Sequence, residues 1–359
     1  MTTPPRVLLG PDLRGLLLAG RYHLGDILGA GATATVYTAL DHHLGGHRVA
    51  VKVIHPEHAR APEQRRRIRQ EALLGARLDH PHLLPVLDFA EHLADTGERH
   101  PFLVLPRVEG PTLRDLILAG PLPWPRAVDL VLQLLDALAA LHQRGVLHRD
   151  IKSGNCIVAR RRARDHLYLL DLGLARIDAP GTLSLTSPPI SRAGGLRGTL
   201  LYLAPELARG ETADPRADLY AVGVLLFELL TRRYPFEGSE YAILRGHIER
   251  PAPTPSALVT RDEIPAALDD LVQRALAKDP AERFTSASAF AESLAQLTPD
   301  LSSRSSQHPP DDGSDAAQRA LAAWTRFDYA HTRHAAAEAA QRSQAWSPLR
   351  LLLSLVPED

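Results

Sequence analysis

The stretch HRDIKSGN at positions 148–155 sets an imidazole, a guanidinium, a carboxylate, an ammonium and a carboxamide side by side, straight after the apolar helical pattern VDLVLQLLDALAALH. Such a cluster is costly to bury without partners and has no purpose on a plain surface. A fold that keeps it must hold it at the junction of packed elements. Residues 156–173 narrow the choice: CIVARRRARDHLYLLDLG reads as a hairpin of two apolar strands that returns to Asp171 beside Gly173. Two strand ends then present Asp150, Asn155 and Asp171 to one cleft. Carboxylate and carboxamide oxygens suit Mg²⁺, which keeps several waters and takes the rest of its shell from substrate phosphates. Asp150, not needed for metal, can accept a proton from a hydroxyl, and Lys152 can neutralise transferred phosphate charge. The chemistry these residues imply is phosphoryl transfer.

A second group lies nearer the N-terminus. In LGAGATATVY, 28–37, Gly29 and Gly31 lack a Cβ, so a turn between two strands could bring backbone N–H groups close to a phosphate chain. A plain hairpin turn explains the same residues. In VAVKVI, 49–54, strand alternation puts Ala50, Lys52 and Ile54 on one face and Val49, Val51 and Val53 on the other. Lys52 therefore points where its neighbours are apolar, and a lysine there needs a partner. The following helical segment offers one, because Glu71 shares a stripe with Ile68, Leu74 and Leu78. The alternative is a lysine that snorkels and a glutamate on a solvated edge.

Residues 21 to about 105 alternate short β-rich runs with one helical segment, whereas 112–297 read as mostly helical. The fold class expected is α+β, a small β-sheet lobe with one key helix followed by a larger mainly helical lobe. The boundaries are an N-terminal extension over 1–20, a small lobe over about 21–106, a large lobe over about 107–297, a linker over 298–318 and a helical tail over 319–359. The linker is marked by TPDLSSRSSQHPPDDGSD, where apolar residues nearly vanish. The Ala-rich tail could pack back on the large lobe, dock a partner or occlude the cleft.

In order, from about Arg21 to Leu297, these motifs resemble the eukaryotic-like (Hanks-type) serine/threonine protein kinases of bacteria. Gly29, Gly31 and Val36 match the glycine-rich loop, Lys52 the strand lysine and Glu71 its helix partner. His148, Arg149, Asp150, Lys152 and Asn155 match the catalytic loop, Asp171, Leu172 and Gly173 the magnesium loop, and Ala204, Pro205 and Glu206 the end of the activation segment. The resemblance implies a two-lobed kinase fold, ATP with Mg²⁺ or Mn²⁺ as cofactors, and protein substrates. It makes Asp150 the base and gives the metal to Asn155 and Asp171. Leu28, Val36, Ala50 and Ile157 would sandwich adenine, with Leu105 as gatekeeper, Pro106 offering a carbonyl and Val108 its backbone. Asp218 would hold the catalytic loop, although a first-turn acid favoured by the helix dipole fits the sequence too. Glu206 would pair with Arg283. Thr199 would bridge Asp150 and Lys152 in the substrate segment, and Ser184, Thr186, Ser187 and Ser191 are the phosphoacceptor candidates before it.

The chain departs from the family at Ala34 in the glycine-rich loop, at Leu172 for the usual Phe, at Ser153 for the usual Pro, and at Pro106 for an acidic residue. The changes at Leu172 and Ser153 remove shape preferences rather than catalytic groups, and Pro106 keeps the carbonyl that the family uses there. No chemical residue is missing, which favours an enzyme over the alternative, a silent nucleotide-binding scaffold. The net charge of −1 offers no global attraction to nucleic acid or anionic lipid. The basic runs RRRIR and ARRRAR read as solvated faces. No apolar run is long enough to span a bilayer, and the single cysteine, Cys156, permits no internal disulfide, which suits a reducing cytoplasm. The seventeen histidines show no HExxH or paired Cys/His spacing.

Overall fold

The structure is a computed structural model that describes residues 12–94, 97–161, 164–171, 200–259 and 264–297, apart from the side chains at 67 and 71. The linker, the tail, Leu172, Gly173, Thr199 and the four phosphoacceptor candidates lie outside them. The chain divides into two units. The first contains a six-stranded antiparallel sheet: β1 (Leu17–Leu18), β2 (Tyr22–Ala30), β3 (Ala34–Asp41), β4 (His47–Ile54), β5 (Asp88–Leu93) and β6 (Arg99–Pro106), in the order β1-β2-β3-β4-β6-β5. One helix, α1 (Pro62–Arg77), accompanies it.

Both faces of β4 are used, as its alternation requires. Val49, Val51 and Val53 join Tyr22, Tyr37, Phe102 and Val104 in one apolar cluster. On the other face Ile54 packs with Ala34, Leu103 and, from α1, Ile68 and Ala72. Lys52 lies on this second face, opposite Val36 on β3 and Leu103 on β6, and is half-buried.

Residues 12–20, read from the sequence as part of an extension ahead of the small lobe, pack against the sheet of the first unit. Leu13 and Leu18 lie in the same cluster as Tyr22 and Leu24, β1 pairs with β2, and the Leu13 amide donates to the Tyr37 hydroxyl at 3.3 Å. The segment is short and punctuated by Gly15 and Gly20, both at positive φ. Its two anchoring leucines are therefore too widely spaced to register as a strand period. The small-lobe boundary is also interrupted. His80–Leu84 belongs to the second unit, because Leu84 N–H donates to Leu169 O at 3.1 Å and Leu169 N–H to His82 O at 2.8 Å.

The second unit is built from α2 (Leu113–Ala119), α3 (Trp124–His142), α4 (Pro205–Ala208), α5 (Pro215–Thr231), α6 (Glu240–Glu249), α7 (Ala266–Ala275) and α8 (Ala287–Ala295), with the hairpin β7 (Cys156–Arg161) and β8 (Arg164–Leu169). α3 buries the face carrying Leu130, Leu134, Leu138 and Leu141. α5 is buried all round from Ala217 to Thr231, so it is the interior element of this unit. Its approach to α7 depends on Gly223, where a Cβ would stand 2.8 Å from the Ala275 methyl. Among the described residues no helix is long and apolar enough to cross a membrane.

Because Leu18 is fully buried, Leu18→Ala should lower stability by about 2–5 kcal/mol, the usual range for a core leucine. Denaturant titration measures this. A loss below about 0.5 kcal/mol would return residues 12–20 to the status of an extension.

Candidate functional site

The catalytic-loop cluster is held from below by one carboxylate. Asp218, in the first turn of α5, is only 2% exposed. Its Oδ2 accepts from the His148 amide at 2.9 Å and its Oδ1 from the Arg149 amide at 2.8 Å, while His142 Nε2 lies 2.9 Å from Oδ2. Burial alone would raise its pKa, but the hydrogen bonds from His142 and His148 hold it below the ordinary carboxylate range. These contacts account for an acid at this position without appeal to the helix dipole.

His148 is the second support. Its Nδ1 faces the Asp150 amide at 3.3 Å and its Nε2 faces the Leu170 carbonyl at 3.0 Å. An amide can only donate and a carbonyl can only accept, so the ring is the neutral Nε2–H tautomer. Burial lowers its pKa, consistent with that state. One imidazole therefore ties the loop to the residue before Asp171.

On these supports three polar side chains converge. Lys152 Nζ lies 2.6 Å from Asp150 Oδ2, and Asn155 Nδ2 donates to the Asp150 carbonyl at 2.8 Å and to its Oδ2 at 2.9 Å. Leu170 N–H bonds to Asn155 O at 2.8 Å, which sets Asp171 at the adjoining strand end. Arg149 and Asp171 both take the left-handed backbone region, at φ 62° and 52°. A non-glycine residue there costs on the order of 1–3 kcal/mol. The flanking bonds to Asp218, His148 and Asn155 hold the strained turns in place.

The donor chemistry fits a hard divalent cation. The amide hydrogens of Asn155 are directed at Asp150, which turns its carbonyl oxygen into the atom offered to a metal, and Asp171 adds carboxylate oxygens.

In the first unit, Val36, Ala50, Lys52 and Leu105 share one sheet face, joined by the pairs Val36–Lys52 and Ala50–Leu105. Leu28 is exposed at 45% on β2. Gly29 and Gly31 have negative φ, and a Cβ on either would meet no atom within 3.4 Å. Neither backbone strain nor internal packing demands glycine at these two sites, while the Gly31 amide itself closes the hairpin turn onto the Ala34 carbonyl at 2.9 Å. Pro106 ends β6 and is buried. In the second unit, Val108 is half-buried, and Ile157 on β7 is half-buried opposite Tyr168. The Lys52–Glu71 pairing rests on a side chain outside the described set.

Sequence reasoning missed another buried carboxylate beside the catalytic loop. Glu228 of α5, 3% exposed, accepts from the Tyr202 hydroxyl and from Ser153 Oγ at 3.3 Å, and Ser153 also donates its amide to the Tyr202 hydroxyl at 3.3 Å. Burial raises the Glu228 pKa in spite of these donors. Ser153 in place of proline therefore does more than relax a shape preference, since it supplies an N–H and a hydroxyl that bind the catalytic loop to Tyr202. The signal for it is a lone Glu inside VGVLLFELL.

Arg283 is buried with all five N–H groups satisfied. Two go to Glu206 at 2.8 and 2.7 Å, and the others to the carbonyls of Ala277 at 2.8 Å, Arg216 at 3.1 Å and Lys278 at 3.2 Å.

With this architecture the sequence matches the protein kinase domain family over residues 22–295, and the chain belongs to that family. Its relatives are bacterial serine/threonine kinases. A probable serine/threonine-protein kinase of Streptomyces coelicolor is 39% identical over 272 residues, covering 75% of this chain and 39% of the relative. The serine/threonine-protein kinase PknB of Mycobacterium leprae is 36% identical over 314 residues, covering 87% of this chain and 45% of that protein. The crystal structure of the Mycobacterium tuberculosis PknI kinase domain has a TM-score of 0.59 at 29% identity, covering 79% of this chain and 98% of that one. The chain spans about two fifths of the length of the two sequence relatives.

Arg283→Met would leave the Glu206 carboxylate buried without its charge partner. The expected loss is about 3–5 kcal/mol, read by chemical denaturation. A loss under about 1 kcal/mol would show that the carboxylate relaxes to solvent.

Proposed function

We propose that the chain is an ATP-dependent serine/threonine protein kinase acting in the bacterial cytoplasm, with protein hydroxyls as acceptors. The observation that carries this reading is the Asp150–Lys152–Asn155 cluster, held by Asp218 and His148. Asp150 takes the hydroxyl proton as the acceptor oxygen bonds to the γ-phosphorus and the bond to the bridging oxygen of ADP breaks. Lys152 offsets the charge of the phosphoryl group in transit.

Asn155 and Asp171 would hold Mg²⁺, or Mn²⁺ in its place. Such an ion supplies charge neutralisation for the phosphates it binds. Lys52, paired with Glu71, would bind phosphate oxygens, and the backbone at Gly29 and Gly31 would lie against the phosphate chain. Leu28, Val36, Ala50 and Ile157 would enclose adenine beside Leu105, with the Pro106 carbonyl and the Val108 backbone as its hydrogen-bond partners. Thr199 would bridge Asp150 and Lys152 when a substrate is engaged.

Regulation by phosphorylation fits the same reading. Arg149 is exposed and precedes Asp150, and among the described residues no carboxylate pairs with it. A phosphate of about −2 on Ser184, Thr186, Ser187 or Ser191 would be a matching partner able to order the segment.

Purified protein incubated with radiolabelled ATP and Mg²⁺ should label itself or an added protein. Asp150→Asn should lower the rate by roughly a hundred- to ten-thousand-fold with nucleotide binding little changed. Labelling unaltered in that variant points to a contaminant, and binding without labelling points to a silent scaffold. The regulatory reading predicts phosphate at one or more of the four hydroxyls by mass spectrometry, and loss of activity on phosphatase treatment. Full activity with all four unmodified would overturn it.

A further inference from the structure

Helix α6 is met by three cations from three parts of the second unit, two of them at its last turns and one reaching back along it. Lys278 Nζ donates to Gly246 O at 3.0 Å, Arg209 to Ile248 O at 3.3 Å, and Arg250 reaches back to Ala242 O at 3.2 Å. Phe236 lies beside two of them. Its ring centroid is 4.4 Å from Lys278 Nζ and 5.5 Å from the Arg250 guanidinium carbon. The ring is fixed from the helix side, because a Cβ on Gly246 would stand 2.6 Å from it.

Capping a helix terminus does not account for this cluster. The end of a helix carries about half a negative charge, whereas Lys278 and Arg209 alone bring two full positive charges to it and Arg250 adds a third alongside the helix. Two carboxylates of this unit are already paired with other arginines, Glu206 with Arg283 at 2.7 Å and Glu249 with Arg245 at 2.7 Å. Among the described residues no carboxylate forms an ion pair with Lys278, Arg209 or Arg250. Burial, and then the positive charges of Arg283, Arg209 and Arg250, push the Lys278 ammonium down to about 8. Like charges therefore crowd together, with Lys278 half-buried and both arginines exposed to solvent.

We propose that Lys278, Arg209 and Arg250 form a binding site for a phosphate monoester carried on a protein chain, a phosphoserine or phosphothreonine segment. A phosphate monoester brings close to two negative charges and three acceptor oxygens in a compact group. Each arginine has N–H donors beyond the one directed at its carbonyl, and the lysine likewise. A single carboxylate would offset only one of the three charges. None of the three residues belongs to the catalytic loop, so the proposal does not rest on the catalytic reading.

The test is fluorescence anisotropy with the full chain and three labelled peptides of one sequence: phosphothreonine, unmodified threonine, and glutamate in its place. The phosphopeptide is expected to bind at least tenfold tighter than the unmodified peptide, and inorganic phosphate should compete. Arg209→Ala/Arg250→Ala, both at exposed positions, should abolish the preference without changing the melting temperature, whereas Asp150→Asn should retain it. Equal binding of phosphorylated and unmodified peptides would overturn the proposal. So would a preference unchanged in the double variant, or a glutamate peptide that binds as tightly as the phosphopeptide. Self-labelling by ATP, measured separately, tells failure of this site from failure of the catalytic reading.

Discussion

The second unit is organised around a carboxylate that has almost no contact with water. Asp218 is buried on a helix that is itself buried from Ala217 to Thr231. An ionised group in such a place is tolerable only when nearly every lone pair is used. The catalytic loop supplies what it needs: two consecutive amides, those of His148 and Arg149, turned toward the helix. For two successive amides to point the same way the chain must turn sharply, and Arg149 does so in the left-handed region. The solvation demand of one buried charge thus dictates the local backbone, and that backbone sets Asp150 where Lys152 and Asn155 can reach it. Removing the carboxylate would release the strain at Arg149 before it touched any reacting group.

The same logic recurs at Glu206 with Arg283 and at Glu228 with Tyr202 and Ser153. Buried ionic groups of this kind are poor sources of net stability, because desolvation offsets most of the attraction. Their effect here is to fix register. Glu206 begins α4, Arg283 follows the loop after α7, and Glu228 links α5 to the catalytic loop through Ser153. Each joins segments far apart in sequence with a geometry that apolar packing would leave adjustable. Reactive groups on loops gain from such anchoring, since a displacement of about 1 Å is enough to lose much of the rate advantage of positioning.

How much of the fold is legible in the sequence depends on the range of each signal. The two faces of VAVKVI, the return hairpin to Asp171 and the polar cluster after α3 are local patterns, and the backbone realises all of them. The Arg283–Glu206 pair becomes legible only through the family resemblance. Residues 12–20 escape a reading by local pattern because their place in the sheet depends on partners such as Tyr37, 24 residues away from Leu13. The assignment of His80–Leu84 to the second unit depends on main-chain bonds to Leu169, which carry no trace in side-chain periodicity. Ser153 is opaque for a similar reason. Comparison with the family shows what the loss of proline removes, whereas the consequence lies in the hydroxyl and N–H that serine adds toward Glu228 and Tyr202.

Glycine and charge mark function in this chain by a common rule, namely that the fold itself gives them no employment. Gly223 is required by the approach of α5 to α7, and the Glu206–Arg283 charges neutralise each other, so both are explained within the structure. Gly29 and Gly31 are required by neither conformation nor packing. Lys278, Arg209 and Arg250 are likewise in excess of what the helix they contact requires. A residue type that is restrictive for the chain and unused by its interior is best accounted for by something that comes from outside. For the glycines the proposed visitor is a phosphate chain. For the three cations it is a phosphate borne by another polypeptide segment, which makes electrostatic surplus, rather than shape, the feature that locates the second site.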